Sequence, residues 1–399
     1  MNRKQIGKTA LWIAVNLARL LLAVVFVFSG TVKIIDPRGT EYKIQDYAAA
    51  MHLQSLTPLY VPLLTGSLLA LAEFCLGIFL LFGINRRWTS RIVFIAMLVF
   101  TPWTLYLALN NPVHDCGCFG DAIVLTNWQT FWKNVVLLVA ALIVVFRYRY
   151  QRRIISERNQ WIVRMYSWVF GFVMIGYNIY NLPIIDFRPY HIGADINAEM
   201  QWKENGSVPE IPDLMITDSE TGEDVTDSII SSPGWKFLIV SPRLELADDG
   251  VMDRLSDISD YCHERNYMMA CLTSSDEGAI SQWCDMTGAD YPFYQVDETP
   301  LKTMIRSNPG LILMQGSIVK GKWAASQLPG DEDLTEPLEK LPWVQNQQAT
   351  MAERLTRLLL WFMIPLIVCT VLDRMWIFRK ITILTIKRNK KDEKAHCSR

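Results

Sequence analysis

The chain has 399 residues, 51% of them apolar, with 39 basic and 40 acidic side chains and a formal net charge of −1. A positive mean hydropathy excludes an ordinary soluble enzyme, and 20% charged residues exclude a pure membrane bundle. The two characters must therefore occupy different stretches.

Apolar runs of about 20 residues, the length that crosses a bilayer, occur at Leu11 to Phe28, Tyr60 to Gly83, Arg91 to Leu109, Phe131 to Phe146, Ile162 to Asn181 and Leu355 to Leu372. The first has the basic start of a signal peptide. However, Arg19 interrupts it and no A-x-A-like site follows, so the reading is an uncleaved first span. The second run carries Glu73 near its middle, where a charge costs several kcal/mol by rough insertion scales and is paired, protonated or functional. Lys33, Arg19 and the Thr101 hydroxyl are its candidate partners, and a neutral Glu73 that glues helices together is the competing reading. Lys33 and Asp36, at the end of the first run, are expected to position that end by snorkelling and hydrogen bonding.

Between the third and fourth runs stands Asp115-Cys116-Gly117-Cys118-Phe119-Gly120-Asp121. Two cysteines one residue apart can approach each other only across a sharp turn, which Gly117 permits. A ring so small is strained and readily reduced, so Cys116 and Cys118 read as a redox pair, with a structural disulfide as the alternative. Zinc is disfavoured, since only His114 lies nearby and a closed site needs four ligands. Trp12, Trp88, Trp103, Trp128, Trp132, Trp161, Trp361 and Trp376 fall near run ends, as an interfacial belt requires.

Basic residues cluster at Arg3 to Lys8, Arg86 to Arg91, Arg147 to Arg158 and Arg379 to Lys394, alternating with poorly basic loops. The positive-inside rule then predicts six crossings with both termini cytoplasmic. It places the cysteine loop and the stretch Pro183 to Met351 outside, where thiols can be oxidised. From Pro183 to Gln345 there are 29 acidic and 11 basic side chains, which suits an exported, solvated domain. The expected organisation is a four-helix membrane domain at 1–150, a fifth span and linker at 151–185, an exported domain at 186–345, and a sixth span with a basic tail at 346–399.

The exported domain reads as strands at Asp213 to Thr217, Trp235 to Ser241, Met268 to Thr273 and Phe293 to Val296. Helices are expected at Asp248 to Arg265, Gly278 to Thr287 and Pro300 to Arg306, with a closing hairpin at Leu311 to Met314 and Ser317 to Lys320. Helices alternating with buried strands form an α/β pattern. Cys262, Cys271 and Cys284 fall inside these elements and read as core thiols, with a Cys262–Cys284 disulfide as the alternative. Cys75 and Cys369 lie in spans and Cys397 in the tail, with no role assigned.

Two resemblances follow from these residues. Phe28-Ser29-Gly30-Thr31-Val32-Lys33 through Asp36-Pro37, Glu73 with Gly77 and Leu81-Phe82-Gly83, and the cysteine block resemble the DoxX family. They come closest to its methylamine-utilisation MauE branch, over residues 11 to 147. The resemblance implies a four-helix inner-membrane protein of bacteria that handles thiols or disulfides of exported proteins, with quinone as an electron acceptor; Cys116, Cys118 and Glu73, read from their own positions, are the candidate chemical residues. The segment Val208 to Leu328 resembles a thioredoxin-like domain of the TlpA or peroxiredoxin type, with Asn308-Pro309 where that family has a cis-proline. Its usual Cys-x-x-Cys position reads Ser241-Pro242-Arg243-Leu244-Glu245-Leu246, so dithiol exchange there is excluded. Two function classes follow: an oxidoreductase-like membrane protein acting on exported thiol-containing clients, or a non-catalytic scaffold whose acidic domain binds a partner. Membrane lipid is the other expected partner. The sequence carries no nucleic-acid motif, phosphate loop or haem signature, and a transporter is the poorer third class.

Overall fold

The computed structural model describes residues 3–53, 58, 60–113, 115–202, 209–212, 214–219, 221–345, 347 and 350–397, with backbone alone at 3–4, 384 and 386–397. Its helices begin with α1 (Arg3–Ile35), α2 (Pro37–Ala50), α3 (Tyr60–Phe82), α4 (Arg86–Asn110), α5 (Asn127–Phe146) and α6 (Gln160–Tyr180). There follow α7 (Ile196–Met200), β1 (Thr217–Asp218), α8 (Thr226–Ile230), β2 (Trp235–Ser241), α9 (Met252–Arg265), β3 (Met268–Thr273), α10 (Glu277–Thr287) and β4 (Phe293–Gln295). The chain closes with α11 (Glu298–Met304), β5 (Gly310–Gln315), β6 (Ile318–Ala324), α12 (Pro342–Gln345) and α13 (Met351–Cys397). Two compact units result, one from Met1–Ile175 with Leu355–Arg399 and one from Gly176–Arg354.

Among the described residues, α1, α3, α4, α5, α6 and α13 contain the six helices long and apolar enough to cross a membrane. This is a multi-pass helical membrane protein. The pair α1 and α3 approaches at backbone distance because two glycines face it. A Cβ on Gly30 would lie 2.3 Å from the Phe74 nitrogen, and one on Gly77 would lie 2.5 Å from the Val27 nitrogen. Without a hydrophobic force between spans, such close contact is what holds them. Gly30→Val should therefore overpack the seam and cost about 1–3 kcal/mol or more, read as a lower unfolding midpoint in mixed micelles. A wild-type midpoint would mean the helices slide apart without penalty.

The loop expected between the first two spans is instead largely helical. Asp36 accepts a hydrogen bond from the Gly39 amide at 2.8 Å and Pro37 occupies the first helical position, so Asp36-Pro37 starts α2. At the arginine-rich end, Arg19 donates to the Arg152 carbonyl and Arg86 to the Gln151 carbonyl. Asp373 of α13 accepts from the Ser156 amide at 2.9 Å and the Asn159 side chain at 2.7 Å.

The second unit is built on a mixed six-stranded sheet in the order β1-β4-β3-β2-β5-β6. Strand β2 runs parallel to β3 and antiparallel to β5, β3 runs parallel to β4, and β5 pairs antiparallel with β6. Side chains alternate across β2, so Phe237 and Ile239 join α9 and α10 in one core while Leu238 and Val240 join α11 in the other. The central strands are buried on both faces, which is why they read as continuous apolar runs. The Asn308–Pro309 peptide that leads into β5 is cis. Only Thr217 of the expected first strand is extended and paired; Leu214 and Ile216 are buried without a ladder, and Asp213 and Val208 lie outside the described residues. Cys262 and Cys271 are free, buried thiols and Cys284 is half-buried and free, so the core reading applies to the first two and no Cys262–Cys284 bond exists. Burial pushes the Cys262 thiol up to about 12, which makes it inert at neutral pH.

Candidate functional site

Gly117 adopts a left-handed conformation with φ +63°, and a Cβ there would also strike the Lys43 side chain at 2.7 Å. Glycine is thus demanded twice, by the turn and by the closeness of α2. The turn brings the Cys116 and Cys118 sulfurs to 2.9 Å, as two thiols in hydrogen-bond contact. Three anchors hold the loop. Lys43 pairs with Asp115 at 2.6 Å, the Tyr47 hydroxyl donates to the Cys116 carbonyl at 2.6 Å, and the Ser29 hydroxyl sits 2.7 Å from the Cys118 carbonyl.

Beneath the loop the Gly30 contact turns Ser29 and Lys33 of α1 toward Glu73 of α3. Lys33 donates to Glu73 at 2.7 Å and to the Ser29 oxygen at 3.1 Å, and the Ser29 hydroxyl lies 2.7 Å from the same carboxylate oxygen. All three side chains are buried, so the ion pair is the alternative to two uncompensated charges at membrane depth. The single Ser29 proton has two acceptors within reach, the Glu73 carboxylate and the Cys118 carbonyl. The ion pair and the cysteine turn are therefore coupled through one hydroxyl.

A cavity of about 150 Å³ joins these groups, with Lys33, Glu73, Cys116, Cys118 and Lys133 on its polar part and Phe100 and Trp103 among its apolar walls. Lys133 of α5 stands 4.1 Å over the ring of Phe119, which also packs edge-on against Phe28. The Cys118 thiol is drawn down to about 6, first because it accepts the hydrogen bond of Cys116, then, against the opposing effect of burial, because Lys133 and Lys33 lie near. Cys116 moves the other way, pushed well above the ordinary thiol range by holding that shared proton, by burial and by its partner's charge.

These elements also fix what the chain is similar to. Residues 10–147 match the family model described as methylamine utilisation protein MauE. No curated protein and no solved structure matches the chain. The MauE-matching segment holds all of the residues above: Cys116, Cys118 and Glu73, with Ser29, Lys33, Lys43, Tyr47 and Lys133.

Of the three residues expected to act, Cys116, Cys118 and Glu73 line one cavity. Two expectations change. Lys33 does not snorkel; it is the buried partner of Glu73. Arg19 and Thr101 are not partners, since Arg19 binds the Arg152 carbonyl and Thr101 bonds the Met97 and Asn134 carbonyls. His114 lies outside the described residues, among which no group of three or more His, Cys, Asp or Glu residues could hold a metal. Sequence reading missed Lys43, Tyr47 and Lys133. Asp36-Pro37, a cap followed by a first-turn proline, was the signal for the helix that carries the first two.

In the second unit the segment without thiols is tightly bonded. Ser241 donates to Asn308 at 2.6 Å, Asn308 donates to the Arg243 carbonyl at 2.7 Å, and the Leu244 amide donates to Ser275 at 2.9 Å. In the same unit, Asp186 pairs with Lys322 at 2.6 Å and Arg188 at 2.7 Å. Against the upward push of burial, these two cations hold the Asp186 carboxyl well below the usual carboxylate range.

Proposed function

We propose that this is an inner-membrane thiol-disulfide protein in which Cys116 and Cys118 cycle between dithiol and disulfide while oxidising exported proteins. The observation that carries the reading is the pair of free sulfurs 2.9 Å apart across a left-handed glycine, above a buried Lys33–Glu73 pair. Two thiols so held need only lose two electrons and two protons to bond. The proposed acceptor is a membrane quinone, which takes up both and becomes quinol. The name of the matching model ties the proposal to methylamine utilisation, where an exported protein would be the client.

Basic flanks alternating with poorly basic loops support cytoplasmic termini and a periplasmic cysteine loop. For the second unit, strands in the order β4-β3-β2-β5-β6 and a cis-proline entering β5 support a thioredoxin-like reading. Its Ser241 to Leu246 segment has no thiol, so its role in this proposal is to bind clients and not to exchange electrons. A wholly non-catalytic scaffold with structural cysteines is the rival account.

Thiol trapping of exported proteins separates the two. In cells carrying Cys116→Ser or Cys118→Ser, the reduced fraction of exported dithiol proteins should rise to that of a strain lacking the protein. Unchanged thiol states in both variants would leave the scaffold.

A further inference from the structure

Resting on that redox reading, we propose that Lys33 and Lys133 are positioning cations that divide the labour of the two sulfurs: a client thiolate attacks Cys116, and Cys118 is the leaving group.

The two sulfurs differ in how far the two cations serve them. On the Cys118 side, Lys33 of α1 donates to Ser29, whose hydroxyl lies 2.7 Å from the Cys118 carbonyl, and Lys133 of α5 stands over the ring of the next residue, Phe119. On the Cys116 side stand the Asp115 carboxylate, bound to Lys43, and the Tyr47 hydroxyl, which donates to the Cys116 carbonyl. Glu73 from α3 holds Lys33 in place, while Asp36 caps α2 and Asp121 is a further carboxylate in the cavity lining. Negative charge arriving on the Cys118 sulfur meets Lys133 and Lys33, opposed by Glu73, whereas Cys116 shares Lys133, is reached less by Lys33 and lies beside the neutralised Asp115–Lys43 pair.

The exchange then runs in one order. A client thiolate attacks the Cys116 sulfur, the client–Cys116 bond forms, the Cys116–Cys118 bond breaks, and the electron pair leaves on Cys118 as thiolate. The client's second thiolate attacks the client sulfur of the mixed disulfide, and Cys116 departs and takes up a proton. The client has lost two electrons and two thiol protons. The pair holds both electrons, one proton rests on Cys116, and the other has gone to solvent. A sulfur whose anion is stabilised leaves faster, which is the kinetic use of the cations. The same surroundings draw the Cys118 thiol down to about 6, through the Cys116 hydrogen bond first and the two lysines after it.

The test is the pH profile of iodoacetamide alkylation of Cys118, followed by peptide mass spectrometry on the full chain in lipid nanodiscs in a Cys116→Ser background. Lys33→Met and Lys133→Met should each raise the alkylation midpoint and slow alkylation at pH 6, by up to about tenfold for each pH unit through which the midpoint rises. Lys33→Arg and Lys133→Arg should restore the parent profile, and Glu73→Gln, which removes the anion facing Lys33, should lower the midpoint. Loosened packing would move Glu73→Gln and Lys33→Met alike toward an ordinary thiol, so a shared direction overturns the assignment. A Lys133→Met profile equal to the parent's also overturns it, and that half-buried position serves where Lys33→Met does not fold. Wild-type cysteines that never cycle would sink the redox reading instead, whatever the alkylation profile.

Discussion

Replacing Glu73 by alanine should destabilise the membrane unit by about 3–5 kcal/mol, as removal of one partner from a buried ion pair does. Lys33 would remain at 6% exposure with the Ser29 hydroxyl as its surviving contact in this group. Its ammonium cannot follow the helix end into water, because the Gly30 seam fixes the face it projects from. The double variant Glu73→Leu with Lys33→Met removes both charges and should recover most of the loss, since a buried pair replaced by apolar side chains of similar volume is often neutral. Unfolding in mixed micelles reads both effects. A single variant within about 0.5 kcal/mol of wild type, the scale of ordinary surface substitutions, would mean that Lys33 finds water or another anion.

Replacing Cys118 by serine should stop turnover and leave its trace on Cys116. Oxidation of a soluble dithiol peptide is expected to fall by ~10³-fold or more, as removal of one member of a reacting unit does. The two cysteines should not be equivalent when a client is present. With Cys118 gone and the client supplied as its disulfide, Cys116 attacks one client sulfur, the other leaves as thiolate, and the mixed disulfide accumulates as a mass-shifted band that reductant removes. With Cys116 gone, the sulfur that the client joins is missing, and no such band should build up. Equal trapping by both variants would contradict the unequal roles.

How much of this was legible depended on how local each signal was. The six apolar runs, the Cys-Gly-Cys turn and an acidic residue in mid-span are properties of consecutive residues, and each was visible. The central strands β2 and β3 were legible for the same reason, since both faces are buried and the run is unbroken. The partner of Glu73 was not, because Lys33, Arg19 and Thr101 differ in which face of which helix they occupy. That choice is made by Gly30 against Phe74 and Gly77 against Val27, contacts between residues more than 40 positions apart. The first strand failed for the opposite reason: Leu214 and Ile216 alternate as a strand should, yet they fill a core without finding a ladder. Lys133 was hidden by its ordinariness, a single lysine near a span end whose meaning comes from the Phe119 ring beneath it.

Electron exchange between the two sulfurs of the Cys116–Cys118 turn has one decisive readout. Equilibrating the full chain in nanodiscs across a glutathione redox series, then trapping and weighing the peptide that contains both cysteines, tests it most directly. One two-electron transition between a free-thiol and a bonded peptide is expected within the glutathione range, with a tenfold change in the equilibrium for each ~30 mV. A peptide that stays in one state across the whole series would contradict it.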